Sequence, residues 1–286
     1  MILGHISLTF LIDACKDASL VSAQTLPPFD AWTGRQPINQ DSILEEIMTI
    51  SPNTTVREVT FELPYSAGVF EKLKIDYCCG GEKPLSEACA NAGVEINSLL
   101  RMLEQARSCE ANVPLDVRGT SLTELVMHIL DNHHVYTKAE MTRLEPLIEK
   151  VIAAHSENHP ELRRIDRLFQ KLSQDLKTHM FKEEQILFPY IVQLEKAVLR
   201  NGPPPFAPFG TVNNPIRMMM LEHDTAGELL RGLRGATANY TVPPDACPSY
   251  RSLYQGLEAF ERDLHEHIHL ENNLLFPRAI QLEGKL

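Results

Sequence analysis

From Thr54 onward, apolar and polar positions alternate with the period of helices rather than of strands. The first stretch is short-patterned: VREVTFELPYSAGVFEKLKI leads into DYCCGG, and PLSEACANAGVEINSLLRMLEQA follows. It predicts a small helical domain over residues 54–109, too small to be more than marginally stable alone. Residues 111–119, with Pro114 and Gly119, read as a linker. Four longer amphipathic segments come next. The first opens on Ser121-Leu-Thr-Glu124, a capping box in which Ser121 takes the third helical amide and Glu124 reaches back, and it runs to about Ala154 with Pro146 expected to bend it. The second starts near His159-Pro160 and continues past Pro189 to about Arg200. The third spans about Asn214 to Asn239 and the fourth about Ser249 to Glu283, separated by proline-rich breaks. The fold class expected is all-α: an up-down-up-down four-helix bundle over residues 120–286, preceded by the small helical domain.

Residues 1–47 do not share this periodicity. They read as a disordered extension, or as an over-extended start with Met48 the natural one. The apolar run Ile6–Ile12 lacks a basic region before it and meets Asp13, Lys16 and Asp17 at once, so neither a signal peptide nor a membrane span is read there.

Charge and cysteine content narrow the field. The 286 residues carry 27 Lys and Arg against 38 Asp and Glu, a net −11 with no basic cluster, which would repel a phosphate backbone and excludes nucleic acid as an expected partner. Six cysteines in a chain this long are too sparse and irregular for a disulfide scaffold, and a cytoplasmic setting is expected.

The chemistry lies in a repeat. HMFKEEQILFPYIVQLE begins at His179, and HIHLENNLLFPRAIQLE begins 88 residues later at His267. Each has a histidine, a glutamate four residues on, then Leu-Phe-Pro and Gln-Leu-Glu in one register. Four residues turn a helix by about 400°, so His179 shares a face with Glu183, and His267 with Glu271. Upstream, His223 precedes His267 by 44 residues and His134 precedes His179 by 45, although the adjacent His133 is not cleanly separated from His134 by periodicity. Four imidazoles and two carboxylates suit two iron atoms bridged by both glutamates, with an open position on each. A lone His-x-x-x-Glu is more often a surface pair, and it is the doubling that argues for metal. His128, His133, His265 and His269 lack the carboxylate partner and default to surface or supporting positions, and His155 lies too far along its helix, at its end. Each Leu-Phe-Pro removes an amide from the helical ladder and predicts a kink at matched depth. Glu222 reads as a solvated charge, with a place behind a ligand or beside an access path as the sharper alternative. Cys78-Cys79-Gly80-Gly81 sets two thiols on a tight turn. With Cys89 ten residues on they make a poor structural zinc site, and buried packing is weighed equally against redox or metal-handling use.

TVREV, VFEKLKIDYCCGGEKPLSEAC, HMFKEEQILFP, LEHDTAGELL and HIHLENNLLFP, in that order, strongly resemble the iron-sulfur cluster repair di-iron proteins, the RIC family, over about Thr54 to Glu283. The resemblance implies a cysteine-bearing domain before a hemerythrin-like di-iron bundle, in a bacterial cytoplasm. By position it puts the iron ligands on His134, His179, His223 and His267, the bridging carboxylates on Glu183 and Glu271, and the paired thiols on Cys78 and Cys79. It favours His134 over His133, which stands where the family has an aromatic residue. It further implies repair of clusters damaged by oxidative or nitrosative stress through supply of iron, with damaged iron-sulfur proteins or cluster-assembly proteins and the gases NO and O2 as partners, and a homodimer left open. Two other classes compete: an NO reductase at the di-iron centre, and an O2 or NO sensor or carrier. A pure carrier has no need for the Cys78-Cys79 domain.

Overall fold

The computed structural model describes residues 50–107 and 119–286. The extension expected over residues 1–47, the end of the small domain at Cys109, and all of the 111–119 linker except Gly119 lie outside the described residues.

Four short helices form first: α1 (Val56–Glu62), α2 (Ser66–Leu73), α3 (Leu85–Ala92) and α4 (Ile96–Arg107). Thr55 and Glu58 close a capping box on α1, and α3 stops at Gly93, whose φ of 67° is the left-handed value that ends a helix cheaply only at glycine. Val56, Val59, Phe70, Ile75, Tyr77, Leu85, Leu99 and Leu103 bury a small core among them. It does not stand alone. By packing, Met48–Leu286 is one unit. Asn273 Nδ2 donates to the Tyr77 carbonyl at 2.9 Å, Lys74 Nζ donates to Asn239 Oδ1 at 2.6 Å, and His265 Nδ1 lies 2.9 Å from Glu71 Oε2, all joining α2 and the cysteine turn to the longer helices.

The four long segments are four helical columns. The first is α5 (Leu122–His128), a π turn (Ile129–His134) and α6 (Val135–His155), and the second is α7 (Leu162–Lys182), a π turn (Glu183–Leu187) and α8 (Phe188–Leu199). The third is α9 (Asn213–Ala236), and the fourth is α10 (Pro248–His269), a π turn (Leu270–Leu275) and α11 (Phe276–Glu283). The Ser121–Glu124 capping box forms as read. Neighbouring columns run in opposite senses: His134 and Glu145 meet Glu184 and Lys177, and His223 and Arg234 meet Asn272 and Glu261. Among the described residues no helix is long and apolar enough to cross a membrane.

Two apolar cores fill the columns, and both draw on all four. One gathers Leu144, Phe169, Leu230, Leu253 and Phe260, and the other Leu125, Phe188, Ile216, Leu275 and Phe276. Between them, along every column, lies a belt of buried histidines and glutamates. The disturbance expected at each Leu-Phe-Pro falls just upstream of it. Pro189 and Pro277 are the second residues of α8 and α11, and the wider π turn before each lets the chain pass a missing amide without breaking the column. The π turn ending at His134 has no such proline and is not foreshadowed by the repeat. Pro146 sits inside α6, which runs on to His155.

The last letter of each repeat is a cap. Glu195 accepts the Leu122 and Thr123 amides at 2.7 and 2.9 Å at the start of α5, and Glu283 accepts the Val212 amide at 2.9 and 3.1 Å before α9. Each half therefore ties the end of its second column to otherwise unsatisfied amides at the start of its first. Glu195→Ala and Glu283→Ala are each expected to cost about 1–2 kcal/mol of stability in urea unfolding, with the metal complement unchanged.

Candidate metal centre

Two groups of four donors form at the level of the π turns. His134, Glu183, His267 and Glu271 make one, and His179, Glu183, His223 and Glu271 make the other. The two carboxylates belong to both. Glu183 offers Oε2 to His134 Nε2 at 3.4 Å and Oε1 to His179 Nε2 at 3.2 Å. Glu271 offers Oε1 to His267 Nε2 at 3.1 Å and Oε2 to His223 Nε2 at 3.0 Å. All six residues named from the repeat are brought together, and none is more than 3% exposed.

The donor set fits cations. His134 Nε2, both Glu183 oxygens and Glu271 Oε2 are buried without a hydrogen-bond partner, although other donor atoms stand close by. His179 Nε2 and His223 Nε2 face each other at 3.0 Å. Two adjacent buried carboxylates left without a compensating charge cost several kcal/mol each. Burial works against their charge, yet the surrounding imidazoles hold Glu183 below the usual carboxylate range and Glu271 well below it. Burial likewise opposes a charge on His179, but Glu183 and Glu222 outweigh it and push the imidazole up to about 10. A cation entering this group displaces that proton.

Behind the donors stands a layer the repeat encodes only in part. His134 Nδ1 lies 2.8 Å from Glu184 Oε1, which also accepts from Lys138 at 2.5 Å. His179 Nδ1 lies 2.9 Å from Glu222 Oε2, and Glu222 pairs with Lys182. His223 Nδ1 lies 2.8 Å from Asn272 Oδ1. With Nδ1 so engaged, each ring has Nε2 free for a metal. Glu222 is thus no free solvated charge, which corrects the default reading: its contact with His179 and Lys182 holds its carboxyl down at about 2. Glu184 and Asn272 were missed, and the signal was present. They occupy the same position, one residue after the shared glutamate, in the two copies.

The phenylalanine of each Leu-Phe-Pro packs on the first histidine of its own half, Phe188 on His134 at 5.6 Å and Phe276 on His223 at 6.0 Å between ring centroids. His133 lies outside both donor groups. It stacks on His267 at 5.7 Å and 14°, with Nδ1 3.1 Å from Asp263 Oδ1, while His267 Nδ1 has no partner. His269 is buried against Tyr77 and Asn273, and so holds the docked domain rather than a surface position. His155 ends α6, as expected.

The paired cysteines sit against this centre. Cys79 Sγ donates to the His223 carbonyl at 3.7 Å, and Asn272, whose Oδ1 meets the His223 ring, donates from Nδ2 to the Cys78 carbonyl at 3.3 Å. Cys78 is buried, and its hydrogen bond to Cys79 and its desolvation push the thiol well above its ordinary pKa. On another face a cleft of about 290 Å³, lined by Thr178, Lys182, Glu222 and Ala226, reaches His179 and His223.

Known proteins share both parts. Residues 125–279 match the family described as Hemerythrin HHE cation binding domain, and residues 52–107 match a domain of unknown function, DUF542. Proteins named iron-sulfur cluster repair protein YtfE, from Citrobacter koseri, Escherichia coli O81 and Escherichia fergusonii, are each 34% identical over 223 residues, 78% of this chain and 94% of theirs.

Asn272→Ala is expected to speed chelator removal of metal from the His179–His223 group by about 10–100-fold, and Glu184→Ala to do the same at the His134–His267 group. Metal release followed spectroscopically distinguishes the two.

Proposed function

The chain belongs to the family of iron-sulfur cluster repair proteins that join a DUF542 domain to a hemerythrin HHE cation-binding domain, and we propose that it restores damaged iron-sulfur clusters by supplying iron from a di-iron centre. His134 and His267 would hold one iron and His179 and His223 the other, with Glu183 and Glu271 common to both groups. Iron is the cargo. Two histidines and two shared carboxylate oxygens per ion leave coordination positions open, and His/Glu donors hold Fe2+ less tightly than thiolates hold softer ions. When bound, iron at such open positions supplies the capacity to bind O2 or NO.

The protein's own groups set how firmly the cargo is held. Glu184 and Glu222 orient His134 and His179, and their lysine partners Lys138 and Lys182 lie toward solvent. As an ion departs from the second group, His179 takes up a proton and offsets the charge exposed on the glutamates. The observation that carries the reading is the seat of the Cys78–Cys79 turn on His223, with Asn272 joining them. A carrier of gas has no use for thiols lodged on a metal ligand. Clients are damaged iron-sulfur proteins or cluster-assembly proteins in the cytoplasm.

A second reading is supported by the cleft at Glu222 and Lys182, which gives a small gas a way to His179 and His223: reduction of NO at the same centre. One experiment separates them. The iron-loaded protein, incubated anaerobically with an NO-damaged four-iron dehydratase, is expected to restore its activity while losing iron in proportion. Sustained NO consumption with a supplied reductant, N2O formed over many turnovers and no iron lost, would establish the reductase instead.

A further inference from the structure

Outside the buried centre, one other set of metal-ligating side chains converges among the described residues. Asp76, Cys78 and Cys79 each bring a donor atom within 4.8 Å of the others. Neighbouring residues of an extended chain point to opposite sides. Here the turn brings both thiols to one side, with the Sγ atoms 3.8 Å apart, and both are free. Cys78 Sγ lies 3.5 Å from Asp76 Oδ1. Two thiolates on one tetrahedral ion, each about 2.3 Å from it, stand about 3.8 Å apart, and a thiolate and a carboxylate oxygen about 3.5 Å apart. Both separations are already those of ligands around a shared ion.

The turn is built to keep them there. Asp76 Oδ1 accepts the amides of Cys79 and Gly80, each at 3.0 Å. A Cβ on Gly80 would fall 2.7 Å from the Asp76 carbonyl oxygen, a backbone approach that requires glycine, and one on Gly81 would fall 2.6 Å from Asn273 Oδ1 and displace that amide. The three donors also line a cleft of about 100 Å³, shared with Lys74, Arg231 and His265. In the sequence the nearest further thiol is Cys89, and metal handling by the pair stands level with buried packing. Cys89 is buried in the small core, and the third donor is Asp76, two residues upstream of the pair.

We propose that Asp76, Cys78 and Cys79 form a second cation site, for one thiophilic divalent ion such as Fe2+, whose fourth position is left to a donor from outside the chain. Two sulfurs and one oxygen suit a borderline-soft ion better than magnesium or calcium. Binding releases the two thiol protons to solvent, departure restores them, and the ion keeps its oxidation state. The site touches the His223 end of the buried centre through the Cys79 thiol and Asn272. Resting on the repair reading, this makes it the station at which outgoing iron meets a client thiolate.

The test uses the full-length, iron-loaded chain and Co2+ alone. One further equivalent of Co2+ is expected to bind, with a thiolate-to-cobalt absorption band and two sulfur neighbours at about 2.3 Å by cobalt-edge X-ray absorption of the wild type. Cys79→Ser should halve the sulfur count and Asp76→Asn weaken binding tenfold or more, with the iron spectrum unchanged in both. Cobalt without sulfur neighbours in the wild type would overturn the site, as would a thiolate band that survives in Cys78→Ser/Cys79→Ser. Two-sulfur ligation in a protein that fails to reactivate clusters would remove the repair reading and leave the site. Full reactivation by a Cys79→Ser protein that no longer binds Co2+ would remove the site from repair.

Discussion

Two carboxylates, Glu183 and Glu271, lie side by side at 0% exposure in the middle of the bundle, and the rest of the structure is arranged around that cost. Their charge is met by four imidazoles, one on each of the first three columns and one on the fourth, converging from all sides. Three of those imidazoles are fixed from behind by Glu184, Glu222 and Asn272. The apolar cores on either side then keep water from relieving the carboxylates. A cation in each donor group, facing one oxygen of each glutamate, is the arrangement that would leave none of these groups uncompensated.

The repeat is the record of how the site is made twice. Its histidine and glutamate supply donors, the next position supplies the acceptor that orients a histidine on the preceding column, the phenylalanine packs on that same histidine, and the closing glutamate caps a helix. The copies differ where the small domain docks. Position 184 is a glutamate paired with Lys138, whereas position 272 is an asparagine whose amide has a free donor for the Cys78 carbonyl. At the adjacent position, Asn273 reaches Tyr77. The amides that break the symmetry of the repeat are the ones that seat the cysteine turn.

The long columns and the six donors were legible because helical period and a doubled spacing report which residues share a face, and those donors lie on faces that must converge. Residues whose role depends on a neighbouring column were not. Glu222 reads as a surface charge until α7 is placed beside α9 and His179 comes within reach. Periodicity did not separate His133 from His134, which only the matched spacing and the resemblance favoured, and the structure supplies the reason: the His133 ring lies behind His267, with Asp263 at its Nδ1. The π turns were half visible, since two precede a proline and the third does not. Asp76 gave no signal, because a carboxylate two residues before a thiol pair becomes a ligand only when the chain turns back on itself.

Whether two ions share the two carboxylates is read by Mössbauer spectroscopy with metal analysis on anaerobically purified protein. Two coupled irons per chain are expected in the wild type, lost as a pair in either Glu183→Ala or Glu271→Ala, because each glutamate serves both donor groups. One iron per chain, or two uncoupled irons of which each substitution removes only one, would contradict that sharing.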